Sequence, residues 1–192
     1  RDGVDAEWWA AHPCGNSMFI FDQKEDYIAG YDHGKDAGTM LAGNHNINKG
    51  GKFWSWGPNS KWDTKILTEN AGHYIELMQG AYSDNQPDYN WNFPYESKEF
   101  SQYWYGIRNI GGVKAGGRDA AMNMEIGEDG KVMVAVNATS RRQGLRVEVS
   151  RAGAPVYSRT FSVAPDSPFR DEFEAGKDVE DVDLAMTLFN EK

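Results

Sequence analysis

Apolar and polar residues alternate at a period of two along most of this chain, in short runs broken by Gly, Pro, Asn and Asp. Side chains two apart share a face of a strand, so this pattern predicts β-structure. In the first part it predicts strands at Met18–Phe21, Tyr27–Tyr31, Thr39–Gly43, Lys52–Trp56, Tyr74–Tyr82 and Ser97–Ile107. One short helix is predicted around Lys61–Leu67, between Pro58 and Asn70. No long amphipathic helix is present in the pattern, and the fold class is all-β.

Further along, Ala121–Ile126 and Val132–Asn137 flank Glu128-Asp129-Gly130, a hairpin signal. Leu145–Val149, the turn Arg151–Pro155, Val156–Val163, a Pro-containing loop at Ala164–Pro168 and Leu184–Phe189 follow. Leu145, Val147 and Val149 alternate with the outward Arg146 and Glu148. Five or six short strands in so small a stretch predict an immunoglobulin-like sandwich. The acidic stretch Asp171–Asp183 is expected as a solvated edge or loop. Asn137-Ala-Thr139 fits the three-residue glycosylation pattern.

Composition divides the chain in two. All seven Trp lie between Trp8 and Trp104, and eight of the nine Tyr precede Ile107. Gly111-Gly-Val-Lys-Ala-Gly-Gly117 reads as a flexible join. The expected domains are 1–113 and 118–192.

At 192 residues the chain can bury a substantial core. Its net charge of −9 repels phosphate backbones, and no basic patch interleaved with aromatics offsets it, so nucleic acid is not an expected partner. No apolar run reaches the length of a membrane span. The single Cys14 forms no internal disulfide and does not report the compartment. The chain opens on Arg1 rather than Met, which is expected of a processed chain or a piece of a longer one.

Candidate chemistry lies in the first part. In a regular strand Tyr74, Glu76, Met78, Gly80 and Tyr82 share one face, and Ile75, Leu77 and Ala81 the other. Trp54 and Trp56 likewise share a face. Sugars call for this mixture: C–H faces pack on aromatic rings, while hydroxyls bond to carboxylates, amides and imidazoles. Core packing is the alternative use for each indole. His33 and His45 follow predicted strands, where sites are often built, and imidazole titrates near neutrality. Both can equally be surface histidines. Asp84-Asn-Gln-Pro-Asp88 offers oxygens to calcium, but its spacing is not that of an EF-hand, and such turns commonly cap their own backbone. No catalytic zinc and no other cofactor is expected from the histidine and cysteine spacing, and no phosphate-cradling glycine loop occurs.

Three blocks carry a resemblance: "GNHNINKGGKFWSWG" (Gly43–Gly57), "LTENAGHYIELMQGAYSDNQPDYNW" (Leu67–Trp91) and "PYESKEFSQYWYGI" (Pro94–Ile107). Together they resemble the bacterial family called domain of unknown function 5107, over about residues 12–125. Its members often carry tetratricopeptide repeats. The resemblance implies a galactose-mutarotase-like β-supersandwich, here only its C-terminal portion, followed by a smaller β-domain. It also implies a carbohydrate-related role. The chain departs from the family at Gly72-His73-Tyr74, where the family has Gly-Pro-Tyr, and in the loop Pro58-Asn-Ser-Lys-Trp62. A partial supersandwich leaves a sheet edge open, so the expected partners are the rest of a parent protein or a second copy pairing along that edge.

The expected function is a carbohydrate-recognising module, or part of a mutarotase- or glycosidase-like enzyme. Mutarotase-like chemistry would use Glu76 as base and His45 or His33 as acid. Trp54, Trp56, Tyr74, Tyr82, Asp84, Gln86 and Trp91 would hold the substrate. A hydrolase would pair Glu76 with Asp84 or Asp88. The alternative is a non-catalytic structural or protein-interaction module of a larger repeat-containing protein.

Overall fold

The computed structural model describes residues 5–12, 14–58 and 63–190. In chain order the strands are β1 (Asn16–Ile20), β2 (Tyr27–Asp32), β3 (Ala37–Ala42), β4 (Asn48–Ser55), β5 (Glu76–Ala81), β6 (Tyr103–Arg108), β7 (Ala115–Gly116), β8 (Ala120–Ile126), β9 (Lys131–Ala138), β10 (Arg142–Arg151), β11 (Ala154–Val163), β12 (Phe169–Glu174) and β13 (Leu184–Asn190). They form antiparallel sheets, and among the described residues helix is confined to single turns at Trp9–Ala11, Asp63–Leu67 and Asp181–Asp183. The chain is therefore all-β. Part of the helix expected at Lys61–Leu67 lies outside the described residues.

The chain gathers into two compact units. One holds the residues up to Ile28 together with Gly43–Gln102; the other holds Ala29–Ala42 and the chain from Tyr103 onward. In the first unit the sheet order is β1-β4-β5. Met18, Phe53 and Leu77 stand side by side across it. The buried His12 ring lies 5.1 Å from the Phe53 ring, and its Nε2 meets the Ala6 carbonyl at 2.9 Å. Amides supply much of what is buried in this unit. Gln102 Nε2 donates to Asn48 Oδ1 at 2.9 Å and to the Gln79 carbonyl at 3.0 Å. Gln23 Nε2 donates to the carbonyls of Glu25 and Tyr27. Drawing Gln102 inward takes the segment before Tyr103 out of ladder geometry, so the strand expected from Ser97 starts only at Tyr103.

In the second unit, sheets β12-β9-β8-β7 and β11-β10-β13 pack as a sandwich, and β2-β3-β6 forms a further sheet. Met124, Val132 and Val134 from one sheet meet Val149 and Leu184 from the other, with Val179 filling in. Each such aliphatic side chain contributes about 1.5–3 kcal/mol on full burial. Leu145, Val147 and Val149 are all buried, as the alternation predicts, with Leu145 packing against Ala138 and Val163. The β8–β9 hairpin turns at Gly130, whose φ is +83° and whose missing side chain leaves room for the Gly176 backbone.

Two sequence expectations are corrected below. The acidic stretch is an edge followed by a loop, as expected: Phe169–Glu174 is the edge strand of its sheet and pairs with β9 from Phe169↔Val136 to Glu174↔Lys131. Phe169, Asp171 and Phe173 face inward and meet β11 rung by rung. Phe161 stacks on Phe169 at 3.9 Å, Arg159 Nε reaches Asp171 Oδ2 at 3.0 Å, and Tyr157 stacks on Phe173 at 4.6 Å. The glycine-rich join is pinned rather than loose. Tyr31 Oη accepts the amides of Ile110 and Gly111, each at 3.1 Å, and donates to Asp36. Asn123 Nδ2 donates to the Ile110 carbonyl, and Lys114 N to Met122 O, before β7 forms. Finally, Asn137 is 2% exposed and its side chain bonds to the Arg108 amide and the Pro165 carbonyl, so the glycosylation pattern there is sealed inside.

Candidate functional site

The face of the first unit's sheet opposite Phe53 collects the aromatic and charged candidates. The β4–β5 register sets Trp54 directly across from Glu76, and β1–β4 sets Ser17 on the other side of Trp54. Facing side chains in such pairs lie about 4.5–5.5 Å apart at Cβ. The Trp54 ring meets Trp56 at 4.5 Å and Tyr74 at 6.2 Å, both nearly perpendicular. Tyr74 Oη donates to Glu76 Oε1 at 2.9 Å. That bond to the carboxylate is the main cause raising the Tyr74 phenol above its ordinary pKa, so the phenol remains a donor at neutral pH. Three rings and a half-buried carboxylate thus form one cluster on this face.

One dipeptide step along β4, Lys52 continues the same face, between Phe19 on β1 and Met78 on β5. Lys52 Nζ donates to Gln86 Oε1 at 2.8 Å and stands 5.6 Å from the Phe19 ring centroid. A further step reaches Gly50 and Gly80. A Cβ on Gly50 would lie 2.2 Å from the Asp84 carbonyl carbon, and one on Gly80 2.6 Å from the Ser83 carbonyl oxygen. The 83–85 backbone therefore folds directly onto this end of the face, and both glycines are required by that approach. The loop's polar groups bond mostly among themselves. Asp84 N donates to Asp88 Oδ2, Gln86 N to Asn85 Oδ1, and Asp22 N to Asp84 Oδ1. Such turns use their oxygens on their own backbone. Among the described residues, no three His, Cys, Asp or Glu side chains gather closely enough to hold a metal ion.

Other sequence candidates lie elsewhere. Tyr82 leaves the strand with φ +60°, which breaks the parity that would have set it on the face of Glu76; its hydroxyl donates to the Glu99 carbonyl. Trp91 is 75% exposed on the loop beyond. His45 precedes β4 at the end opposite Trp54, and six residues of strand separate Asn48 from Trp54, about 20 Å. Its Nδ1 meets Asp26 Oδ1 at 2.7 Å, and its amide donates to the same oxygen at 2.9 Å. The backbone bond leads the causes that hold the Asp26 carboxyl below its ordinary range. Glu76 and His45 therefore do not bracket one sugar ring. His33 belongs to the second unit, exposed on the β2–β3 turn with its ring 5.4 Å from Tyr31.

Sequence reasoning passed over Phe19, Phe21 and Lys52. The signal was present in Met18-Phe-Ile-Phe21, where Phe19 and Phe21 share a parity; their rings lie 6.1 Å apart and within 17° of parallel. What was not legible was the register that lays β1 beside Trp54.

The described fold is that of an all-β protein whose second unit contains a sandwich. Within it, residues 117–192 match the family described as YphG-like protein, second domain. That match takes in well under half of the chain and excludes the aromatic face. No solved structure matches the chain. No helix of the described residues is long and apolar enough to cross a membrane.

Proposed function

We propose that the first unit is a carbohydrate-recognising module and that the second serves as its scaffold. The single observation that carries this reading is the cluster itself: Glu76 sits across from Trp54 and accepts a hydrogen bond from Tyr74, with Trp56 packed edge-on against Trp54. Rings for C–H faces and an acceptor for hydroxyls stand together there, which is the chemistry that sugar recognition uses. The resemblance to the domain of unknown function 5107 family supports the same reading. On it, the first unit is the C-terminal portion of a mutarotase-like supersandwich. The outer positions of β1 and β5 in a three-stranded sheet would suit further strands of a parent protein.

The reading is of binding rather than catalysis, because the histidine that would complete a mutarotase-like pair lies about 20 Å along the strand. Isothermal titration of the chain with a panel of neutral and acidic saccharides tests it. Binding is expected for the wild type, with loss of at least tenfold in Trp54→Ala and in Glu76→Gln. A panel with no binder removes the proposal.

A second reading has its own observation. Tyr89, Trp91, Phe93 and Tyr95 are all more than two-thirds exposed on one loop. Side-chain to backbone bonds hold the loop's shape, with Asn90 Nδ2 donating to the Tyr82 carbonyl at 2.7 Å and Phe93 N to Glu96 Oε2 at 2.9 Å. Exposed aromatics held in place are a protein-interface signature. Binding of a purified candidate protein, lost on truncating Trp91 but not Trp54, would favour an interaction module.

A further inference from the structure

We infer that the aromatic face takes an extended glycan chain of about three or more sugar rings, not a monosaccharide; this rests on the carbohydrate reading above. The distances along the strand decide it. Glu76 lies across from Trp54, whereas Asp84 lies over Gly50, four residues back along β4. Four residues of strand cover about 13 Å, nearly three times the spacing of adjacent strands, about 4.8 Å, which is close to the width of one pyranose ring. No single ring can touch both ends of the face.

The interval between those ends is furnished. Lys52 occupies the middle position of β4, and its ammonium and the Gln86 amide bonded to it form a polar rim. Phe19 stands directly across from Lys52. Phe21 follows at the same parity, 61% exposed, with its ring nearly parallel to that of Phe19. The rings therefore form two stations. Trp54, packed edge-on with Trp56 and Tyr74, makes one aromatic station beside Glu76, of a width for one sugar. Phe19 and Phe21, stacked on each other with the Lys52 ammonium over the Phe19 ring, make a second aromatic ledge beside it, open to following sugars at the exposed Phe21. A β-1,4-linked chain with equatorial hydroxyls presents such faces on both sides of a ribbon, whereas an α-linked chain coils away from a flat sheet. The loop at 83–86 bounds the face at its far end.

The experiment is a length series by isothermal titration with the full chain: glucose, xylose and N-acetylglucosamine, their β-1,4-linked dimers to hexamers, and malto-oligosaccharides as the α-linked control. Affinity of the wild type is expected to rise about tenfold or more from monomer to tetramer and then level off. Phe21→Ala, at an exposed position, is expected to abolish most of that rise, so that its tetramer affinity falls close to its monomer affinity. Circular dichroism of the variant establishes that it folds. Equal affinity for monomer and tetramer overturns the extended site but leaves carbohydrate recognition standing, as does a Phe21→Ala variant that binds the tetramer like wild type. Preference for the α-linked series overturns the ledge geometry. No binding of any saccharide overturns both.

Discussion

Glu76 and Asp171 occupy similar places in two different units: each is a strand carboxylate with an aromatic residue two positions before it and a bond to a tyrosine hydroxyl. Their surroundings differ. Asp171 stands between Phe169 and Phe173, and every group on that face is met from β11: ring by ring at the outer rungs, carboxylate by Arg159 and Tyr157 in the middle. Glu76 has the Tyr74 hydroxyl and the neighbouring Trp54. A closed seam stabilises a fold, and a carboxylate satisfied on all sides has little left for a ligand. An aromatic face with an acid that is only half engaged is available for recognition.

The largest test of that contrast is in the sandwich core. Leu145→Ala, at a nearly fully buried position, should lower stability by about 2–5 kcal/mol, read as a reduced urea midpoint at an unchanged slope. Next, the two acids should separate. Asp171→Ala should cost about 1–3 kcal/mol by leaving Tyr157 and Arg159 without their shared partner. Glu76→Ala should cost about 1 kcal/mol or less in the same assay. Equal losses would erase the distinction between seam and site.

A pH series sharpens it further. Burial first, and the bond to Asp171 second, push the Tyr157 phenol up to about 12 from 10.0. The folded chain keeps that proton longer than the unfolded chain, so the contribution is complete below pH 10 and vanishes as the pH climbs through about 12. The Tyr157 hydroxyl leads the causes that lower the Asp171 carboxyl. Its contribution is present above the ordinary carboxylate range, near 3.9, and disappears as the pH falls through the lowered folded value. Tyr157→Phe should flatten the alkaline limb of a melting-temperature profile; an unchanged limb would exclude the seam as its origin. The smallest expected effect is on the other unit, where Phe21→Ala should shift stability by no more than about 0.5 kcal/mol. A larger loss would mean that the ledge is structural.

Much of the fold was legible as parity. Leu145, Val147 and Val149 alternate cleanly because β10 has one face on the core and one outside, and the Glu128–Gly130 turn sits between two runs of strand-forming residues. β12 was hidden because Asp171, Glu172 and Glu174 disfavour strands intrinsically, and only pairing with β9 and the rungs against β11 override that preference. Ser97–Gln102 failed in the opposite sense: the pattern suited a strand, but burying the Gln102 amide redirected the backbone. At the candidate site, parity located Glu76 and the Trp54–Trp56 pair. It could not place Tyr82, because a single residue at positive φ ends the alternation, nor bring Phe19 to Lys52, which depends on the pairing of strands more than thirty residues apart.

The most direct measurement is a nitrogen–proton correlation spectrum of the labelled chain, titrated with a β-1,4-linked tetrasaccharide that calorimetry shows to bind. Saturable shifts confined to the amides of residues 17–21, 52–56, 74–78 and 84–86 and the indoles of Trp54 and Trp56 are predicted, with residues 120–190 unmoved. Shifts centred on the sandwich, or a spectrum that stays still in the first unit at saturating ligand, would contradict the assignment of recognition to the Glu76 face.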